Sequence, residues 1–151
     1  MATLRVESRS RDETLQLGRD VGRRLRPGDV VRLRGRLGAG KSVLARGIGE
    51  ALGTPVWRGS PTYNLVHEYP TRPALYHADL YRLRESDLAD LGLEELAEDN
   101  GILLVEWPER AESDVASLPA RRFVDLSLTV TGEESRIIDI AVPDDPDAPR
   151  A

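Results

Sequence analysis

The residues best suited to chemistry lie between Gly35 and Ser42. Their order, Gly35-Arg36-Leu37-Gly38-Ala39-Gly40-Lys41-Ser42, fits the pattern GxxxxGKS/T. In that pattern the glycines let the backbone approach an anion closely, the loop N–H groups point inward, and the helix that follows turns its positive end toward the charge. Lys41 reaches the β and γ phosphates as a mobile point charge, and the Ser42 hydroxyl offers one oxygen to Mg²⁺. The chemistry is the binding of a nucleoside triphosphate. Of the 21 basic residues in the chain, Lys41 alone is a lysine.

A magnesium site of this kind needs a carboxylate at the end of a neighbouring apolar strand. Ile102-Leu103-Leu104-Val105-Glu106 supplies one, so Glu106 is the candidate second ligand beside Ser42. Two further segments carry polar groups where an α/β protein gathers ligands: Ser60-Pro61-Thr62, and His77-Ala78-Asp79-Leu80-Tyr81-Arg82 at a strand end. Thr62 could contact the γ phosphate or the magnesium shell, and Asp79 could orient an attacking water. The ordinary alternatives are a proline-turn residue for Thr62, and a helix cap or a salt bridge to Arg82 for Asp79. For His77 and Trp107 the ordinary reading is packing.

These residues need a scaffold, and the flanking patterns describe one. Thr3 to Glu7 alternates as a strand, and Ser10 with Glu13 forms a capping box opening a helix that runs to about Leu25, before Pro27 and Gly28. Val30, Val31 and Leu33 make a strand that breaks into the glycine loop, and Lys41 to Leu52 is a helix closed by Gly53. Trp57 to Tyr69 lacks a helical period and reads as a long loop with some extended structure. Ala74 to His77 reads as a strand, Glu85 to Asp99 as acidic helix interrupted at Gly92, and Ile102 to Val105 as a buried strand. Residues 124 to 142 alternate, turn at Thr131 to Ser135 and alternate back as an antiparallel hairpin. The pattern predicts one α/β P-loop domain over residues 1–142, with a mostly parallel central sheet and a C-terminal antiparallel hairpin. Pro143 to Ala151, with three prolines and three aspartates, reads as a disordered tail.

Composition removes other classes. With 151 residues and 40% hydrophobic content, one core suffices. There is no cysteine, and only His67 and His77 are histidines, which excludes thiolate metal sites and leaves little for a multi-histidine site. A net charge of −5 argues against stable, direct nucleic-acid binding by this chain alone. No signal sequence and no apolar run of about 18 residues is present, so a soluble, cytoplasmic protein without membrane contact is expected.

Taken in order, GRLGAGKS, SPTYNLVHEY, HADLYRL and VEWPE resemble the TsaE family, once called YjeE, the ATPase of bacterial tRNA N6-threonylcarbamoyladenosine (t6A) synthesis. The likeness runs from the helix start at Glu13 to the hairpin near Gly132. It implies a small three-layer P-loop NTPase-like α/β fold that binds ATP and Mg²⁺, hydrolyses slowly alone, works with the TsaB and TsaD proteins, and meets tRNA only through that complex. Carried over, the phosphate loop falls on Gly38, Ala39, Gly40, Lys41 and Ser42, the magnesium ligands on Ser42 and Glu106, and the required threonine and aspartate on Thr62 and Asp79. The adenine seat implicates the neighbourhoods of Arg11 and Gly132. Two positions depart from the family pattern: Arg36 stands where an aspartate is usual, and Val43 where a second hydroxyl residue commonly follows. Two other activities share the phosphate loop, a nucleotide-gated binding module with little turnover and a small-molecule kinase. A GTPase is disfavoured, because the chain contains no DxxG and its single lysine leaves none for NKxD.

Overall fold

Runs such as Val30-Val31 and Leu103-Leu104 are too apolar to face water on either side, and they form the centre of the sheet in the computed structural model, which describes residues 2–61, 65–84 and 87–143. In chain order the elements are β1 (Ala2–Ser8), α1 (Arg11–Arg24), β2 (Asp29–Arg34), α2 (Lys41–Leu52), β3 (Val66–Tyr69), β4 (Leu75–Asp79), α3 (Leu93–Glu98), β5 (Ile102–Glu106), α4 (Glu112–Ala116), β6 (Arg122–Val130) and β7 (Arg136–Val142). Short 3₁₀ turns at Ala89–Leu91 and Pro108–Ala111 precede α3 and α4.

The seven strands form one sheet in the order β1-β7-β6-β2-β5-β4-β3. Its middle is parallel, with β2 between β6 and β5, and β4 beyond β5. The expectation of a mostly parallel sheet is corrected: the sheet is mixed, because β1 runs antiparallel along β7 and β3 folds back antiparallel on β4. The β3–β4 flank is a local hairpin, while the β1–β7 flank answers to long-range pairing. Leu4 sits opposite Ile140 and Val6 opposite Ile138, contacts that no local pattern in β1 announces. The C-terminal hairpin of β6 and β7 is as expected, closed by the Thr131 N–H donating to the Ser135 carbonyl at 3.1 Å.

Strand alternation sends neighbouring residues to opposite faces. Val31, Leu33, Leu104 and Leu126 join Leu44, Ala45 and Ile48 of α2 and Val21 of α1 in one core. Val30, Leu103 and Val105 join Leu93, Ala97, Ala111 and Val115 in another. Helices therefore cover both faces. On the first, α1 and α2 pack backbone to backbone: a methyl group on Gly47 would lie within 2.9 Å of the Arg19 nitrogen and nearer still to the Leu15 carbonyl oxygen.

At α1 the Ser10 half of the capping box is present, with the Glu13 N–H donating to Ser10 Oγ at 3.1 Å, while the Glu13 carboxylate reaches one residue past the cap and accepts from the Arg9 N–H at 2.6 Å. Gly53 closes α2 in the left-handed region at φ 97, and Gly92 at φ 66 divides the acidic stretch as expected. The long loop ends in the short edge strand β3, and β4 runs two residues beyond His77, which makes Asp79 its last residue. Thr62, Glu85 and residues 144–151 of the expected tail lie outside the described residues.

Candidate functional site

β2, β5 and β4 run parallel, so their C-terminal ends reach one edge of the sheet. In register, Leu33 pairs with Glu106 and Glu106 with Asp79, which sets the two carboxylate residues side by side where β2 gives way to the glycine loop. The loop enters α2 through Gly40 at φ 102, a left-handed conformation that favours glycine. Within α2 the first helical bond is donated by Leu44 to the Gly40 carbonyl, at 3.1 Å. The N–H groups of Gly40, Lys41, Ser42 and Val43 therefore have no partner inside the helix. Gly38, at φ 78, is exposed and has open space where a side chain would stand. Orphan donors, a helix N-terminus and free space together suit an anion.

Lys41 is buried to 7% exposure. Its ammonium donates to the Gly35 carbonyl and lies 3.6 Å from the centroid of the Trp107 ring. Burial pushes its pKa below the ordinary lysine value, opposed by the negative charges of Glu106, Glu109 and Asp79. Trp107 reaches this position through a left-handed backbone at φ 57, directly after Glu106, and its N–H donates to the Leu33 carbonyl at 3.3 Å. A residue that sequence alone assigns to the core thus forms a rest for the loop's lysine.

Glu106 is 2% exposed, and a buried carboxylate needs donors. Its Oε2 is 2.7 Å from His77 Nε2 and accepts from Ser60 Oγ at 3.2 Å. His77 is fully buried, and its ring stacks on Trp57 at 5.2 Å, which in turn stacks on Tyr69 at 5.1 Å. The packing reading of His77 is therefore right and incomplete, since the packed ring also holds Glu106. Asp79 is half-buried and accepts the Tyr81 N–H at 3.0 Å, an Asx turn. Burial is the main cause that raises its pKa above the usual carboxylate value. The Tyr81 N–H opposes that rise, and the charge of Glu106 adds to it.

The structure thus brings Gly38, Ala39, Gly40, Lys41, Asp79 and Glu106 to one edge, with Ser42 exposed at the start of α2. Ser60 carries the segment that leads to Thr62 onto Glu106. Arg11 is the exposed first residue of α1. That helix start borders the loop through Thr14, whose methyl group lies 4.0 Å from where a Gly40 side chain would begin. Gly132 reaches the loop indirectly: its carbonyl accepts from Arg136 Nη1 at 3.1 Å, while Arg136 Nε donates to the Ala39 carbonyl at 2.8 Å. Ser60 and Arg136 were not singled out by sequence. Ser60 neighbours a flagged residue, but nothing in the run around Arg136 marks it.

Among the described residues no helix is long and apolar enough to cross a membrane. A family model described as "Threonylcarbamoyl adenosine biosynthesis protein TsaE" matches residues 8–138. A Treponema pallidum relative named tRNA threonylcarbamoyladenosine biosynthesis protein TsaE is 37% identical over 139 residues, covering 91% of this chain and 100% of its own. The Bacillus subtilis protein of the same name is 34% identical over 139 residues, covering 91% of this chain and 85% of its own. A crystal structure of Bacillus subtilis YdiB is similar with a TM-score of 0.70 at 28% identity, covering 94% of this chain and 87% of that one. The family match, these relatives and the shared α/β architecture agree, and the chain belongs to the TsaE family of threonylcarbamoyl adenosine biosynthesis proteins.

Proposed function

We propose that this chain is a P-loop ATPase of tRNA threonylcarbamoyladenosine synthesis, binding ATP with Mg²⁺ and resetting a TsaB–TsaD complex by hydrolysis. One observation carries the reading: the single lysine of the chain is held inside a glycine loop at the strand ends that also bear Asp79 and Glu106.

The residues present suit magnesium. A hydroxyl and a carboxylate, Ser42 and Glu106, are the protein's share of a site that phosphate oxygens and water complete, and such a site needs no preformed cage. Among the described residues no group of three His, Cys, Asp or Glu side chains forms one. Bound there, the ion supplies charge neutralisation at the β and γ oxygens.

The chain's own groups do the rest. The orphan N–H groups at the start of α2 bind the phosphates. Lys41 leaves the Gly35 carbonyl and the Trp107 ring for the β and γ oxygens, exchanging a weak rest for a strong anionic partner. Asp79, its carboxyl raised above the usual carboxylate value by burial, orients water for attack on the γ phosphorus. His77 and Ser60 hold Glu106 in one orientation. Thr62 is proposed to sense the γ phosphate.

A nucleotide-gated module with little turnover is the second reading, and the exposed Arg36 on the loop favours it. A cation there strengthens ground-state phosphate binding without adding anything specific to the transition state. Phosphate release from Mg·ATP, measured alone and with TsaB and TsaD, separates the two. The ATPase reading expects turnover that rises with the partners and falls at least about 100-fold in Lys41→Ala. Tight ATP binding with no phosphate release in either condition would favour the module, and Arg36→Asp is then the variant expected to restore turnover.

A further inference from the structure

Arg136 is the first residue of β7, paired with Ser8 on β1 and Val130 on β6. Its side chain runs toward two separate stretches of backbone. Nη1 donates to the carbonyls of Gly132, Glu133 and Ser135 at 3.1, 3.3 and 2.8 Å, and so gathers the hairpin turn. Nε donates to the Ala39 carbonyl at 2.8 Å, and Nη2 lies 3.5 Å from the Gly38 carbonyl. The guanidinium is a rigid fork of five donors, suited to holding several acceptors in fixed directions at once.

The direction of the Ala39 carbonyl has a consequence on the other side of the same peptide. In a trans peptide the C=O and the following N–H point in opposite directions. With the Ala39 carbonyl on Arg136, the Gly40 N–H faces away from the hairpin, and it is one of the α2 donors that lack a helical partner. The preceding peptide is fixed as well, since the Ala39 N–H donates to the Arg36 carbonyl at 3.1 Å. Gly40 sits at φ 102 with no side chain to restrain it, so without an external hold this peptide can rotate.

We infer that Arg136 is a positioning residue for phosphate binding: by holding the Ala39 carbonyl it aims the Gly40 N–H at the anion, and by holding the hairpin turn it anchors the loop to the sheet. The inference rests on the reading of the glycine loop as a phosphate site. It adds a residue that lies nearly a hundred positions from the motif and belongs to no part of it. Arg136 touches no phosphate in this role and acts through the backbone it holds.

The test uses the full chain and the Arg136→Gln and Arg136→Lys variants. Pyrophosphate and ADP binding are measured by calorimetry, and amide exchange by NMR. Arg136→Gln loses the charge and the fork, and is expected to weaken both ligands by about tenfold or more. It should also speed exchange at Ala39, whose N–H is bonded to the Arg36 carbonyl, while leaving Ile138 and Ile140 as protected as in the parent. Arg136→Lys keeps a charged donor without the fork and should fall between. Unchanged pyrophosphate and ADP affinity in Arg136→Gln would overturn the inference while leaving the phosphate site intact. So would weakening accompanied by lost protection at Ile138 and Ile140 in both variants, which makes the residue merely structural. A parent protein that binds neither ligand would instead sink the phosphate-site reading, and this inference with it.

Discussion

One face of the sheet is roofed by α1 and α2, helices of 14 and 12 residues that approach each other closely at Gly18, Gly22 and Gly47. The opposite face is covered by α3 and α4, of six and five residues, joined through 3₁₀ turns. Both faces bury leucine and valine to zero exposure, Leu33 and Val31 on the first and Leu80 and Val105 on the second, so burial of aliphatic side chains does not set them apart. They differ in how much backbone moves together. A short helix gains little from its own hydrogen bonds and depends on its few buried anchors, whereas two long helices in close contact open only as a pair. The candidate site spans the division. The glycine loop belongs to the first face through α2, while Asp79 and Trp107 lead directly into the turns of the second.

The largest effect should come from the helix seam. Gly47→Ala places a methyl group against the backbone of α1, which cannot yield as a side chain would, so the helices must separate, and urea denaturation should show a loss of about 5 kcal/mol. Next are paired truncations. Ile48→Ala on the first face should cost roughly 4 kcal/mol and Leu93→Ala on the second roughly 2 kcal/mol, because a six-residue helix can settle into the space left behind. Equal losses would mean that the two faces form one rigid unit, and the contrast drawn above would fail.

The smallest effect is electrostatic and lies on the boundary. The carboxyl of Asp79 is raised by burial from 3.8. Between that value and its folded pKa, the native state therefore holds a proton that the unfolded chain has released, and stability falls as pH rises through this window. Above the window the penalty is complete; below pH 3.8 it is absent. Asp79→Asn keeps the acceptor for the Tyr81 N–H and removes the titration. It should melt slightly higher than the parent at neutral pH and level with it in acid, while losing phosphate release if the aspartate orients water. A variant no more stable than the parent at neutral pH would show that the site carries no such penalty.

Much of this was legible in the sequence because it is local. The Ser10 cap on the Glu13 N–H, the Gly53 stop, the break at Gly92 and the β6–β7 hairpin each depend on residues within a few positions of one another. The glycine loop was legible for the same reason, since strand, loop and helix are contiguous, whereas Asp79 and Glu106 were read from strand ends that only the parallel register brings beside it. What sequence concealed depends on distant pairing. The β1–β7 pairing, the His77–Glu106 contact across two strands, and Arg136 on Ala39 join residues whose proximity only the sheet creates. α4 was missed, and β3 read only as unplaced extended structure within the long loop, for another reason: at five and four residues they are too short to show a period.

The burial of Lys41 gives the protein an unusual chemical simplicity. Apart from the terminal amine, its ammonium is the only primary amine in the chain, and it is shut in the loop. Acylating reagents directed at lysine therefore have a single side-chain target, whose rate of modification reports whether the loop is closed, open or occupied. Labelling that elsewhere blankets a surface here reduces to one side-chain site, read separately from the terminal amine by mapping the acylated residue.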